Sequence, residues 1–259
     1  MLSLEITALI QHTGPMATPR ERARAEFTTD LLEAARARLV AEGAAGLSLR
    51  AVARDLGVSS SAVYRYVESR DALLTVLIIE TYDEVGTVCE TAAAAARADG
   101  VPAGQVLLAV ARAFREWALA HRRSFELVYG TPVPGYAAPQ DTVEHALRIW
   151  AVLVATLLEA QAEGTLGPVS VDVGPGLVEP GAVAFGAGVV AARGLQDVVG
   201  QWGEPEVVRA FTLFAGLVGA VTVELFGHLH RAAADNARVF DAMVALTASG
   251  VGVQVDVGA

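Results

Sequence analysis

The chain has 259 residues, 53% of them hydrophobic, a formal net charge of −10 and a single cysteine. That length allows one large domain or a small one followed by a medium one. Lone Cys89 excludes an intramolecular disulfide framework and any multi-cysteine zinc site, reads as a small apolar residue, and fits a reducing cytoplasm.

The acidic balance excludes a generic nucleic-acid binder, so the distribution of charge matters more than its sum. Residues 17–75 hold nine Arg against eight acidic residues, and residues 76–259 hold ten Arg against twenty. Every cation is a guanidinium, because the chain has no lysine; each can bind phosphate or guanine bidentately. With a near-neutral head on an acidic body, DNA binding has to come from local placement of Arg. The longest apolar run, Phe211 to Val223, is about 13 residues between Arg209 and Glu224, short of the roughly 18 a membrane span needs. A buried helix and no membrane partner are expected.

In chain order, residues 1–17 lack the basic start of a secretory signal. They read as a disordered extension or a start assigned too early, with Met16 as the alternative. Thr18 as N-cap, Pro19 at the first helical position and Glu21 three residues after the cap form a capping box. Phe27, Leu31, Ala34, Ala35 and Leu39 then share one helical face, and Gly43 ends the helix. Ser48 is expected to cap a second helix with Leu49, Val52, Ala53 and Leu56 inward. Gly57 supplies a sharp turn, where a residue without Cβ accepts positive φ. Ser59 or Ser60 caps a third helix with Val63 and Val67 inward and Ser60, Ser61, Tyr64, Arg65 and Tyr66 outward. Ser69 caps a long helix with Leu73, Leu74, Leu77 and Ile78 buried, reaching about Arg97. Further helices are expected at about 104–122, 125–129, 141–163, 181–199, 204–230 and 235–249. A Gly/Pro-rich connection covers 164–180, and the tail from 251 has no evident reason for order.

Residues 48–70 therefore have what a helix-turn-helix needs. Apolar residues face each other on two helices, a glycine turn joins them, and the second helix has a polar outer face. A plain helical hairpin uses the same ingredients, so the spacing alone leaves both readings open.

The run GLSLRAVARDLGVSSSAVYRYVESRDALL, and with it about residues 18–78, closely resembles the signature of the TetR family of bacterial regulators. The resemblance implies an all-α fold: a three-helix DNA-binding domain at 18–75 followed by a larger helical regulatory and dimerisation domain at 76–250, with a flexible tail at 251–259. It implies a homodimeric transcriptional regulator, most often a repressor, that binds a palindromic operator and is released by a small hydrophobic molecule. Ser48 matches a phosphate contact and Arg50 a residue that reaches a base edge, where a guanidinium favours guanine. Ser59, Ser60 and Ser61 match the groove-facing start of the recognition helix. Tyr64 matches a phosphate-binding tyrosine, Tyr66 a base- or sugar-contacting aromatic, and Arg70 a position where the family usually has a phosphate-binding lysine. On the residues alone, Arg50 is equally a solvated surface charge and Tyr64 equally half core. Arg65 could reach phosphate or Glu68, and Arg20, Arg22 and Arg24 could form an arm along the DNA or be ordinary surface charges.

The segment AFREWALAHRRSFELVYGTPVPGYAAP resembles, more loosely, a regulatory domain called WHG, through Trp117, His121 and Gly130. Trp117 and His121 are spaced i, i+4 and would share a helix face. An aromatic face with one titratable group suits an apolar small molecule, with Tyr129, Trp150 and Phe185 as further candidates; simple core packing is the other reading. For dimerisation, small residues stand out in the two helices at 181–199 (Ala187, Gly188, Ala191, Ala192) and 204–230 (Ala215, Gly216, Gly219, Ala220). Close packing within one chain uses the same residues. No catalytic constellation, metal set or cofactor fingerprint is present: His228 and His230 fall on different helix faces. The competing reading is a helical small-molecule-binding or enzymatic protein whose helix-turn-helix is vestigial.

Overall fold

The computed structural model describes residues 18–169, 174–192 and 202–258. The expected extension at 1–17 and residues 193–199 of the expected dimer helix lie outside them. The described residues form ten helices and no strand. They are α1 (Pro19–Gly46), α2 (Leu49–Asp55), α3 (Ser60–Val63), α4 (Arg70–Ala98), α5 (Ala103–Ala120), α6 (Arg122–Tyr129), α7 (Thr142–Ala162), α8 (Pro180–Ala192), α9 (Glu204–Leu225) and α10 (Asn236–Gly250). Two compact units divide the chain, one up to Asp83 with His121–His145 and one of Glu84–Ala120 with the residues from Ala146 onward.

In the first unit the expected capping box is formed. The Glu21 N–H donates to Thr18 Oγ1 and the Thr18 N–H to Glu21 Oε2. Gly43, at φ 72°, breaks α1 before a last short turn. α1 packs on α2 and α6, and α2 packs on α3. Their shared core holds Leu31, Leu32, Leu39, Val52, Val63, Val67, Leu73 and Leu74. The unit is larger than the 18–75 segment expected from the sequence, because Leu127 is buried in the same core and Val128, Val133 and Tyr136 pack against it. Polar ties hold this returning segment to the first half of α4: Thr75 Oγ1 and Tyr136 Oη lie 2.9 Å apart, and His145 Nδ1 and Asp83 Oδ1 2.7 Å apart.

In the second unit, α9 packs on α5, α8 and α10. Leu107, Leu153, Leu157, Leu158, Val207, Leu213 and Ala248 form the core. By length and composition alone α9 could cross a membrane, yet it buries Val207, Ala210, Leu213, Leu217, Ala220 and Val221, the first three in this core. Cys89 is buried, and burial pushes its thiol up to about 12, so it stays protonated and inert.

The tail from 251 is not free. Val251 and Val253 (1% exposed) are buried in the second core. The Gly167 N–H donates to Gly252 O at 2.7 Å, Arg209 Nη1 donates to Val251 O, and Gln105 Nε2 donates to Asp256 O at 2.8 Å. Two valines and a handful of carbonyls are too weak a sequence signal to announce such a strap. It crosses α5 at Gly104, where a Cβ would overlap the Gln254 carbonyl oxygen. Gly104→Ala is therefore expected to lift the strap and cost about 1–3 kcal/mol. Chemical denaturation checks this, and an unchanged midpoint would contradict the seating.

Candidate nucleic-acid interface

The polar outer face of α2 and α3 exists because their other faces are sealed. Leu49, Ala51, Val52 and Ala53 are buried along α2, and Val63 and Val67 along α3 and the turn after it. Between the helices, Gly57 takes φ 66°, a conformation that costs a side-chain-bearing residue roughly 1–2 kcal/mol. Ser59 caps α3: its Oγ accepts from the Ala62 N–H at 3.3 Å and lies 2.9 Å from Ser61 Oγ. Of the three serines expected in the groove, two are thus already engaged locally with each other, while Ser60 is half-buried. Ser48 occupies the N-cap of α2 but makes no side-chain capping bond.

Tyr64 is 49% exposed. Tyr66 is half-buried: its ring centroid lies 4.4 Å from that of Phe27, and Arg24 sits over it at 6.0 Å. A guanidinium over an aromatic face is attractive, so Tyr66 is held against two α1 residues, Arg24 and Phe27. Arg50, Arg54 and Arg65 are exposed and form no salt bridge with a carboxylate among the described residues, including Glu68 for Arg65, although Arg54 is near enough to Asp55 for its charge to help lower that carboxyl's pKa. Arg54 was not among the residues singled out from the sequence. Its i, i+4 spacing from Arg50 on an amphipathic helix was the available signal.

The acidic residue that could neutralise this face is held by another helix. Arg38 of α1 donates from Nε and Nη2 to Asp55 at 2.5 and 2.7 Å, and from Nη1 to Glu42 at 2.5 Å. Arg70, expected at phosphate, donates from Nε to Leu47 O at 3.1 Å and from Nη2 to Ala44 O at 2.9 Å.

The expected effector residues do not share one helix face. α5 ends at Ala120, and His121, with φ −122° and ψ 50°, is exposed at the start of α6. The i, i+4 argument therefore fails at the helix break, while Trp117 is 4% exposed and packs with Phe114 at 6.1 Å. Tyr129 belongs to the first unit, beside Phe125 and Tyr82 at 5.3 and 6.2 Å. Trp150 stacks on Phe214 at 4.2 Å and meets Phe211 at 5.3 Å. Phe185 is half-buried against the second core. A cavity of about 10 Å³ in the second unit is lined by Leu107, Ala111, Leu153, Leu213, Leu217, Val244 and Thr247, none of them among these candidates. It has room for about one water.

The small residues divide too. A Cβ on Gly216 would overlap Thr247 of α10 and one on Gly186 would overlap Trp202, so both pack within the chain; Ala220 is buried as well. Ala187, Gly188, Ala191, Ala192, Ala215 and Gly219 are exposed.

A glycine-turned helix pair with unneutralised arginines outside, ahead of a larger helical unit, is the architecture of a DNA-binding regulator. The family described as bacterial regulatory proteins, tetR family, matches residues 31–77, and that described as tetracyclin repressor-like, C-terminal domain, matches residues 107–247. The Trp117–His121–Gly130 run falls inside the second match. The HTH-type transcriptional regulators Rv1816 of Mycobacterium tuberculosis and Mb1846 of Mycobacterium bovis are each 38% identical over 210 residues, 80% of this chain and 84% of theirs. The crystal structure of the regulatory protein SCO4313 is similar at a TM-score of 0.66 and 31% identity, covering 90% of this chain and all of that one. A protein of unknown function from Rhodococcus sp. RHA1 is similar at 0.63 and 27%, covering 86% and 94%. The chain belongs to the TetR family and is a DNA-binding transcriptional regulator, not an enzyme. The reading with a vestigial helix-turn-helix is set aside.

The Arg38 hydrogen bonds hold the Asp55 carboxyl below its ordinary pKa. A depressed carboxyl stabilises the fold above its unfolded-state pKa and ceases to do so as pH falls through the lower folded value. Asp55→Asn is therefore expected to lower the urea midpoint at neutral pH, with the gap to wild type closing in acid. A gap that is the same at both pH values would contradict the assignment.

Proposed function

We propose that the chain works in the cytoplasm as a homodimeric repressor that binds a palindromic operator and leaves it when a small hydrophobic molecule occupies the second unit. The observation that carries the DNA half is the outer face of α2 and α3, where Arg50, Arg54, Arg65 and Tyr64 are exposed while Asp55 is held by Arg38. On this reading Arg50 contacts a base edge, Tyr64, Ser48 and Ser61 contact phosphate, and Tyr66 contacts sugar or base. Ser59 and Ser60 set the start of the recognition helix. Arg54 and Arg65 add phosphate contacts.

For the dimer, support comes from an exposed apolar edge within the second unit. Phe211, Ala215, Gly219 and Phe226 are exposed along and just past α9, and Leu246 of α10 is 74% exposed. Small residues between two phenylalanines permit close helix approach, and a twofold contact of this kind gives the symmetry a palindrome requires. The effector reading draws on the aromatic residues Trp117, Trp150 and Phe185 of the second unit, with the small cavity, lined by other residues, as the place that would have to widen. A ligand releases DNA only through its preference for the conformation that binds DNA less well.

A gel shift with DNA upstream of the chain's own gene tests the core of this: a specific, salt-sensitive complex is expected, and its absence on every site tried would overturn the reading. Tyr64→Ala is expected to weaken all DNA alike by about 1 kcal/mol. Arg50→Ala is expected to cost about 1–3 kcal/mol on the operator and to relax sequence preference; equal loss on every sequence would remove the base contact. For the dimer, Ala215→Glu combined with Leu246→Glu is expected to give monomers in sedimentation. A variant that stays dimeric places the interface elsewhere.

A further inference from the structure

We propose that Arg70 is a positioning residue that sets the entry of α2, and not a phosphate contact. The proposal rests on the operator-binding reading for its consequences and on geometry for its substance. Arg70 is the first residue of α4. Its Nε–H and one Nη2–H project from the same edge of the guanidinium, and that edge meets two carbonyls, Leu47 O at 3.1 Å and Ala44 O at 2.9 Å. Both lie at the end of α1 beyond the Gly43 break, in and just after a last short turn whose carbonyls lack partners further along the helix. Ala44 O also receives the Leu47 N–H, at a long 3.4 Å.

Leu47 is buried and directly precedes Ser48, the N-cap of α2, whose own side chain makes no capping bond. The entry of α2 is anchored locally by the buried Leu47 and Leu49 but by no side-chain capping bond from Ser48, and Arg70, twenty-three residues after Leu47, supplies a hydrogen-bonded tie. The other edge of the guanidinium faces the Asp71 carboxylate, with Nη1 at 3.4 Å. An incoming phosphate on that side would meet a negative neighbour. A planar fork suits this two-carbonyl clasp, whereas a lysine keeps the charge but presents a single compact ammonium.

The test compares wild type, Arg70→Lys and Arg70→Met for binding to operator and to unrelated DNA across a salt series. It adds hydrogen exchange of the DNA-free proteins at residues 47–52. The clasp predicts that both variants lose roughly tenfold in operator affinity, with the salt slope of wild type and with faster exchange at 47–52. The ratio of operator to unrelated-DNA affinity should fall at a temperature where helicity still equals wild type, a change that lost stability alone would not produce. Operator affinity retained by Arg70→Lys, together with a slope smaller by about 0.9 in Arg70→Met, is the signature of a phosphate contact and overturns the proposal. Should Arg70→Met not fold, the lysine variant decides alone, retained affinity counting against the clasp. If wild type prefers no operator, the regulatory reading fails instead, and exchange at 47–52 still decides: unchanged rates in Arg70→Lys overturn the clasp.

Discussion

The DNA-facing surface depends on how α2 and α3 are wedged against the helices that flank them. Val52, Val63, Leu73 and Leu74 are fully sealed in one core with Leu31 and Leu32 of α1. Four helices thus meet around side chains that leave almost no freedom for the crossing. α3 has only four helical residues and cannot hold itself, since an isolated helix that short has too few hydrogen bonds to offset nucleation. Its orientation is a property of this core, of the Gly57 turn and of the Ser59 cap. The exposed groups it carries inherit their positions from apolar contacts on the opposite side.

Charge is arranged by the same helices. The head is close to neutral by count, yet its outer face is not, because α1 reaches across with Arg38 to engage both Asp55 and Glu42. The net effect is that both carboxylates are paired with one guanidinium, that of Arg38. Phosphate attraction decays within about a Debye length, roughly 8 Å at physiological salt. Local segregation of this kind therefore matters more to binding than the −10 of the whole chain.

Features written in short spacings were legible in the sequence: the capping box at Thr18 and Glu21, the Gly57 turn, the Ser59 cap and the apolar stripes of α1, α2 and α4 all follow from contacts within a few residues. Features that depend on distant partners were not. Nothing in residues 121–145 announces that Leu127 belongs to the first core, and nothing in the tail announces that Val253 belongs to the second. His121 shows the weakness of spacing taken alone, since i, i+4 pairs a face only while the helix lasts, and α5 stops one residue earlier. Arg70 is a related case. Its type and position suggested a free cation, whereas its Nε and Nη2 donate to the carbonyls of Leu47 and Ala44.

Small residues give the same lesson with a sharper edge. Gly216 and Gly219 lie three apart on α9, a spacing at which the sequence treats them as one stripe. Three residues on an α-helix turn through about 300°, so the two side-chain directions differ by about 60°. That difference is enough to set Gly216 against Thr247 while leaving Gly219 open. A stripe of small residues therefore reports close approach without naming the partner. What separates a contact within the chain from one available to a second copy is the neighbour each position meets: Thr247 for Gly216, and for Gly219 an exposed surface continuous with Ala215 and Phe211.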